Sequence, residues 1–235
     1  LQTIHSKIIS SPFKIFNASS PKALTEKTFE FENIESKCEQ SLIVPNNEQV
    51  AWITGSQVCY CAEAFQGVSR DDPDAPALSV LATVLRNGFL HTAIREKGGA
   101  YGAGASNDTV TNTFKFFSYR DPKCSETFTA FKEAIEWSKT SISEQHLEEA
   151  ILGVVSSIDK PLSPVGEAKN DFNFNLENIS TKQRLEMRQR VINCSIDDLV
   201  RVSEKYLTKD SNKSILAGEA YKDEASSLEL ILREV

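Results

Sequence analysis

Apolar positions recur with two different periods along the chain. Residues 49–68, QVAWITGSQVCYCAEAFQGV, are rich in β-branched and aromatic side chains and predict one or two strands. The RDDPDAP cluster that follows is a turn, with Asp74 placed to cap a helix. Leu78, Leu81, Val84 and Leu85 then share one helical face. Phe89, Leu90 and Ile94 carry that stripe past Gly88, which allows a bend. Gly98-Gly99 stops it, because glycine enters the left-handed C-cap conformation without steric cost. Ala100–Ser106 reads as a strand of almost nothing but glycine and alanine, broken by Tyr101. Asn107-Asp108 reads as a turn and Val110–Tyr119 as the hairpin partner, with Phe114 and Phe116 on one face. Asp121-Pro122 ends the hairpin.

Helical spacing governs most of the remainder. Phe128, Phe131, Ile135 and Trp137 fall in one segment, and Leu147, Ala150, Ile151, Val154, Val155 and Ile158 in the next. Beyond Pro161 and Pro164, two more helices are predicted at about 165–178 and about 181–193. Ser195 and Asp198 form a capping pair for another, carrying Ile196, Leu199, Val200, Val202 and Leu207. Ser214–Gly218 predicts a strand and Glu224–Arg233 a final helix. Residues 1–47 are polar and weakly patterned, a lead-in with one short strand at Lys27–Glu32. This order predicts an α+β two-layer sandwich, a largely antiparallel sheet with helices packed on one face. One domain over 1–235, its core beginning at residue 48, accounts for the pattern.

Composition narrows the function classes. Hydrophobic residues make up 40% and charged residues 25%, ordinary for a globular protein. A net charge of −7 argues against nucleic acid or an anionic membrane as partner. No apolar run reaches the roughly 18 residues of a membrane span. The start, LQTIHSKIISSPFK, lacks a signal-peptide core and an initiator Met, so the chain reads as processed or as a segment of a longer one. Five cysteines, Cys38, Cys59, Cys61, Cys124 and Cys194, show no regular spacing. Cys59 and Cys61, two apart on a strand, share a face and do not readily pair, so free thiols in a reducing compartment are expected. Five Asn-X-Ser/Thr triplets, at Asn17, Asn107, Asn178, Asn193 and Asn212, are what a chain rich in these residues yields by chance.

Familiar catalytic arrangements are missing. The three histidines, His5, His91 and His146, form no metal-binding spacing; Ala150 stands where His146 would need a second His. His146 is expected on a solvent face and His91 in helix packing. The glycine run lacks the Lys of a phosphate loop, since Ala105 follows Gly104. A dinucleotide fingerprint fails because the glycines follow a helix and open a strand. No metal site is assigned to this chain.

What remains is Arg95, Gly98, Gly99 and Tyr101. A tight turn joins the helix end to the strand start, so Arg95 and Tyr101 can project from one end of the domain. A guanidinium and a phenol both donate hydrogen bonds, and two such donors can hold a peptide carbonyl or a developing oxyanion. The small residues Gly102, Ala103, Gly104 and Ala105 leave room for another backbone. The plain alternative is a tightly packed strand with Arg95 complementing a helix C-terminus.

FLHTAIREKGGAYGAGAS, with FFSYRDP one strand later, resembles the pitrilysin/insulinase family of zinc metallopeptidases, within it the presequence protease branch. The likeness runs from about Gln49 to about Ala217, and the Arg-X5-Tyr element is its specific part. It implies the LuxS/mitochondrial-processing-peptidase-like metallohydrolase fold, and a parent of about four homologous units closing around a peptide. Zinc is then held by an inverted His-X-X-Glu-His motif in another, N-terminal unit and by nothing in this chain. The last unit contributes an Arg and a Tyr, here Arg95 and Tyr101, to the substrate backbone, with Gly98, Gly99 and Gly102 lining the approach. The resemblance thus implies the fourth and last unit of a roughly 1000-residue zinc metalloendopeptidase of unstructured peptides, inactive alone. Its partners are peptide substrates and the N-terminal catalytic half. The branch implies a mitochondrial or plastid matrix, or a bacterial cytoplasm. A non-catalytic structural or assembly module of a processing-peptidase-like complex is the alternative.

Overall fold

The computed structural model describes residues 1–11, 16–22, 48–207 and 211–234, which fall into two compact units. One comprises Leu1–Pro45 with Pro161–Thr181, the other Asn46–Lys160 with Lys182–Val235. The strand expected at Lys27–Glu32 lies outside the described residues. In the first unit, α1 (Gln2–Ile9) has no buried residue. The helix Pro164–Leu176 (α5) is capped by Ser163, whose Oγ accepts from Gly166 N, and Phe16 meets Phe172 with ring centroids 5.3 Å apart. The chain enters and leaves this unit beside Pro161 and Thr181. From sequence alone Pro161 and Pro164 read as ordinary punctuation between helices.

The second unit is built on six strands: β1 (Val50–Thr54), β2 (Cys59–Gln66), β3 (Gly102–Asp108), β4 (Thr113–Asp121), β5 (Asn212–Gly218) and β6 (Ile231–Glu234). They lie in the order β3-β4-β2-β5-β1-β6. The pairs β3–β4, β4–β2 and β2–β5 are antiparallel, while β1 runs parallel to both β5 and β6. The α+β two-layer arrangement is therefore the observed one. Strand alternation decides which face is covered: Cys59, Cys61, Glu63 and Phe65 of β2 are buried, while Tyr60 and Ala62 between them are exposed.

The covering helices are α2 (Ala75–Leu85), α3 (Ser125–Thr140), α4 (Glu144–Ile158), α6 (Thr181–Ile192) and α7 (Ile196–Tyr206). Leu78, Leu81 and Leu85 of α2 are fully buried, and Phe116 of β4 stacks on Phe131 of α3 at 5.3 Å. α2 continues directly into a π-helical segment, Arg86–Glu96. The combined stretch Ala75–Glu96, 22 residues with a mean hydropathy of 1.2 in its most apolar window, is long and apolar enough by length and composition to cross a membrane. Charged residues confined to its second half hid that length in the sequence. Its apolar side chains are spent on the core beneath the sheet.

Three sequence expectations shift. Asp74 sits at the N-cap position of α2 but makes no capping bond. Its carboxylate accepts instead from Arg201 Nη1 at 2.7 Å, Lys205 Nζ at 2.7 Å and Tyr206 Oη at 2.8 Å, all on α7. Asn107 and Asp108 belong to β3, and the turn comes later, where Asp108 Oδ1 accepts from Val110 N and Thr111 N and Asn112 takes φ 53°. The last expected helix is short: α8 spans Lys222–Ser227, Glu229 turns the chain at φ 58°, and Ile231–Glu234 becomes β6. The LELIL run suits either period, and pairing with β1 selected the strand.

Candidate functional site

The π-helical segment ends at a turn that only glycine fits. Gly99 has φ 85°, and a Cβ on Gly98 would lie 2.4 Å from the Ile94 carbonyl oxygen. Gly99 N donates to Arg95 O at 3.1 Å and Ala100 N to Ile94 O at 3.1 Å, satisfying carbonyls at the helix end. Lys97 N bonds Thr92 O, five residues back, the wider repeat of a π-helix. This turn sets Arg95 and Tyr101 at its two ends.

Tyr101 is 63% exposed and Arg95 is also exposed. The two share no hydrogen bond among the described residues. Arg95 Nη1 lies 3.5 Å from His91 Nε2, and His91 Nδ1 lies 3.4 Å from Glu96 Oε1. His91 is thus half-exposed, set between Arg95 and Glu96 on its own helix. His146 completes a capping box with Ser143 and packs edge-on against Trp137 at 5.2 Å, so it serves its own helix end.

Tyr101 has two companions that pattern reasoning passed over. Its ring centroid lies 5.6 Å from that of Tyr119, and the Arg120 guanidinium carbon lies 5.7 Å from the Tyr101 ring. Tyr101 N donates to Arg120 O at 3.3 Å. Both companions come from a bulge: β2 pairs Cys59 with Asp121 and Cys61 with Ser118, so Tyr119 and Arg120 stand opposite Tyr60 alone. Arg120 takes φ 49° there. The SYRDP string was the visible signal, but nothing in it reveals a bulge. Gly102 lies under the Tyr119 ring, which a Cβ would meet at 2.4 Å. Gly98, Gly99 and Gly102 therefore shape the turn and the seat of Tyr119.

The outer sheet face continues from this edge. Trp52, Leu216 and Tyr60 are neighbours in register across β1, β5 and β2, and all three are partly exposed. A hollow of about 550 Å³ is lined by Gly88, Phe89, Thr92, Ala93, Lys97 and Trp137 and includes neither Arg95 nor Tyr101. The candidate site is thus an open edge and face, not an enclosed pocket.

Residues 51–217 match the family model described as the PreP C-terminal domain. The chain belongs to that family. Mitochondrial presequence protease of Eremothecium gossypii is 39% identical to this chain over 157 residues, 66% of the chain and 16% of the relative. The mitochondrial presequence protease of Mus musculus is 38% identical over 151 residues, 64% of the chain and 14% of the relative. The chain therefore spans about a sixth of the length of these relatives. In fold it is similar to the crystal structure of a protease from Helicobacter pylori, with TM-score 0.68 at 20% identity, over 86% of this chain and 53% of that one.

The histidines do not fit a hydrolytic zinc site. His91 and His146 are engaged as described, in different helices, and the group of metal-ligating side chains that does converge among the described residues, Cys59, Cys61 and Cys124, is all sulfur and fully buried.

Proposed function

We propose that this chain is the substrate-gripping C-terminal unit, the fourth and last, of a zinc metalloendopeptidase that degrades unstructured peptides in a closed chamber. The metal belongs to another unit of the parent, and this chain alone is inactive. The observation that carries the reading is the exposed Tyr101, braced by Tyr119 and Arg120 and set one glycine turn after Arg95.

In this reading Tyr101 Oη donates a hydrogen bond to the scissile carbonyl oxygen as negative charge develops there. Arg95 holds a neighbouring peptide carbonyl, which fixes the register of the bound segment. Tyr119 and Arg120 keep the phenol aimed, so that little ordering is left for the moment of reaction. The row Trp52, Leu216, Tyr60 offers apolar area to substrate side chains. The N-terminal catalytic half of the same polypeptide and peptide substrates are the partners. A mitochondrial matrix is the compartment the presequence protease relatives support; nothing supports a plastid or bacterial setting.

Tyr101→Phe and Arg95→Ala in the parent polypeptide test the assignment. Each is expected to lower kcat/KM about a hundredfold, the loss typical of one oxyanion donor, with zinc content unchanged. Near-wild-type kcat/KM in both, at full zinc, would leave the structural or assembly module as the better account.

A further inference from the structure

The cysteines that showed no regular spacing in the sequence converge in the fold. Cys59 and Cys61 point to the covered side of β2, and Cys124 stands at the N-cap position of α3. Their three sulfurs lie within 4.8 Å of one another, and the residues are 0%, 1% and 0% exposed. No two are bonded as a disulfide. Three sulfurs around one ion, each about 2.3 Å from it, would stand about 4 Å apart, inside that span. The fold therefore holds the donors close to a trigonal set.

The surroundings choose the ion. Among the described residues, no histidine or carboxylate joins the three sulfurs in that group. The adjacent Asp121 carboxylate is already engaged, Oδ1 by Lys123 N at 3.0 Å and Oδ2 by Thr127 Oγ1 at 2.7 Å. Glu224 Oε2 accepts from Ser125 N. The Asp121 carbonyl, 3.2 Å from Cys59 Sγ, is a hard donor. Zinc asks for four ligands, or three and an open position for water, and this buried set supplies neither. Soft thiolates in low coordination suit Cu(I).

We propose that Cys59, Cys61 and Cys124 form a three-thiolate site for one Cu(I) ion, fastening the start of β2 to the corner between β4 and α3. Filling it releases the thiol protons and involves no electron transfer. The site is separate from Arg95 and Tyr101 and stands whether or not they contact substrate.

The test uses the 235-residue chain, reduced and anaerobic, titrated with Cu(I) against a chromophoric chelator. The result expected is one equivalent bound, retained when Cys38 and Cys194 are both replaced by Ser and lost in Cys61→Ala and in Cys124→Ala. Cu(I) also raises the thermal midpoint of the wild-type chain and not of those two variants. No stoichiometric binding, binding that survives both alanine variants, or a tightly held equivalent of Zn(II) in its place overturns the site. If the alanine variants fail to fold, X-ray absorption on the loaded wild-type chain decides. Three sulfur neighbours sustain the assignment, and nitrogen or oxygen neighbours defeat it.

Discussion

At the scale of single residues, the site turns on which side chains the backbone leaves exposed. Tyr101 could have been one more aromatic in the core; its exposure and its brace of Tyr119 and Arg120 make it a presented group. The expected losses differ in kind. Tyr101→Phe removes one hydroxyl, so its cost falls on kcat, while Arg95→Ala removes a contact present in bound substrate as well and raises KM in addition. A kinetic split of the reverse sense, with kcat untouched by Tyr101→Phe, would exchange the roles. The sequence singled out Arg95 and Tyr101 as two donors flanking a double glycine, within a stretch that resembles a known family, and the fold leaves both exposed at the ends of that turn. Their neighbours were not legible there, since a bulge is a two-against-one register between strands far apart in the chain and leaves no local mark.

Among elements, two junctions carry consequences that stability measurements can read. The first is the turn after the π-helical segment. Gly99→Ala puts a side chain at φ 85° and should cost about 1–2 kcal/mol in chemical denaturation. Gly98→Ala should cost more, because its Cβ meets the Ile94 carbonyl and the backbone must move. Equal stability of both variants would mean the turn relaxes freely. The second is Asp74, 4% exposed, which ties the start of α2 to α7. Burial pushes its carboxyl upward, but hydrogen bonds from Lys205, Arg201 and Tyr206 outweigh this and hold it at about 2. A depressed carboxylate stabilises the fold fully above its ordinary value near 4, and the contribution is lost as pH falls through about 2. About 2 kcal/mol of stability should therefore disappear between pH 4 and pH 2, and Asp74→Asn should flatten that part of the pH–stability curve. Helix and strand existence was readable from periodicity between residues 48 and 218, but not in the lead-in, where α1 forms without a buried face to pattern it. Asp74 misled because an acidic residue ahead of a helix looks the same whether it caps its own helix or pairs with cations 127 and 131 residues away. The C-terminal strand misled because Ile231 and Leu232 satisfy either period until β1 is available to pair.

On the scale of the whole chain, the proposal that the metal belongs to another unit has a direct test. Purified by itself and dialysed free of weakly held ions, the chain should carry no stoichiometric zinc and cut no peptide; one tightly bound equivalent, or measurable cleavage, would move the reaction onto this unit. The sheet also has a temporal side. Val50 pairs with Ser214, 164 residues later, and the other neighbour of β1 is β6, later still. A ribosome making this chain from its first residue thus completes β1 long before either strand that will flank it exists. The core sheet cannot close until the last strands emerge, and loop-closure entropy of that length slows the closure further. Throughout synthesis the exposed edge of β1 is a surface for chaperones to guard.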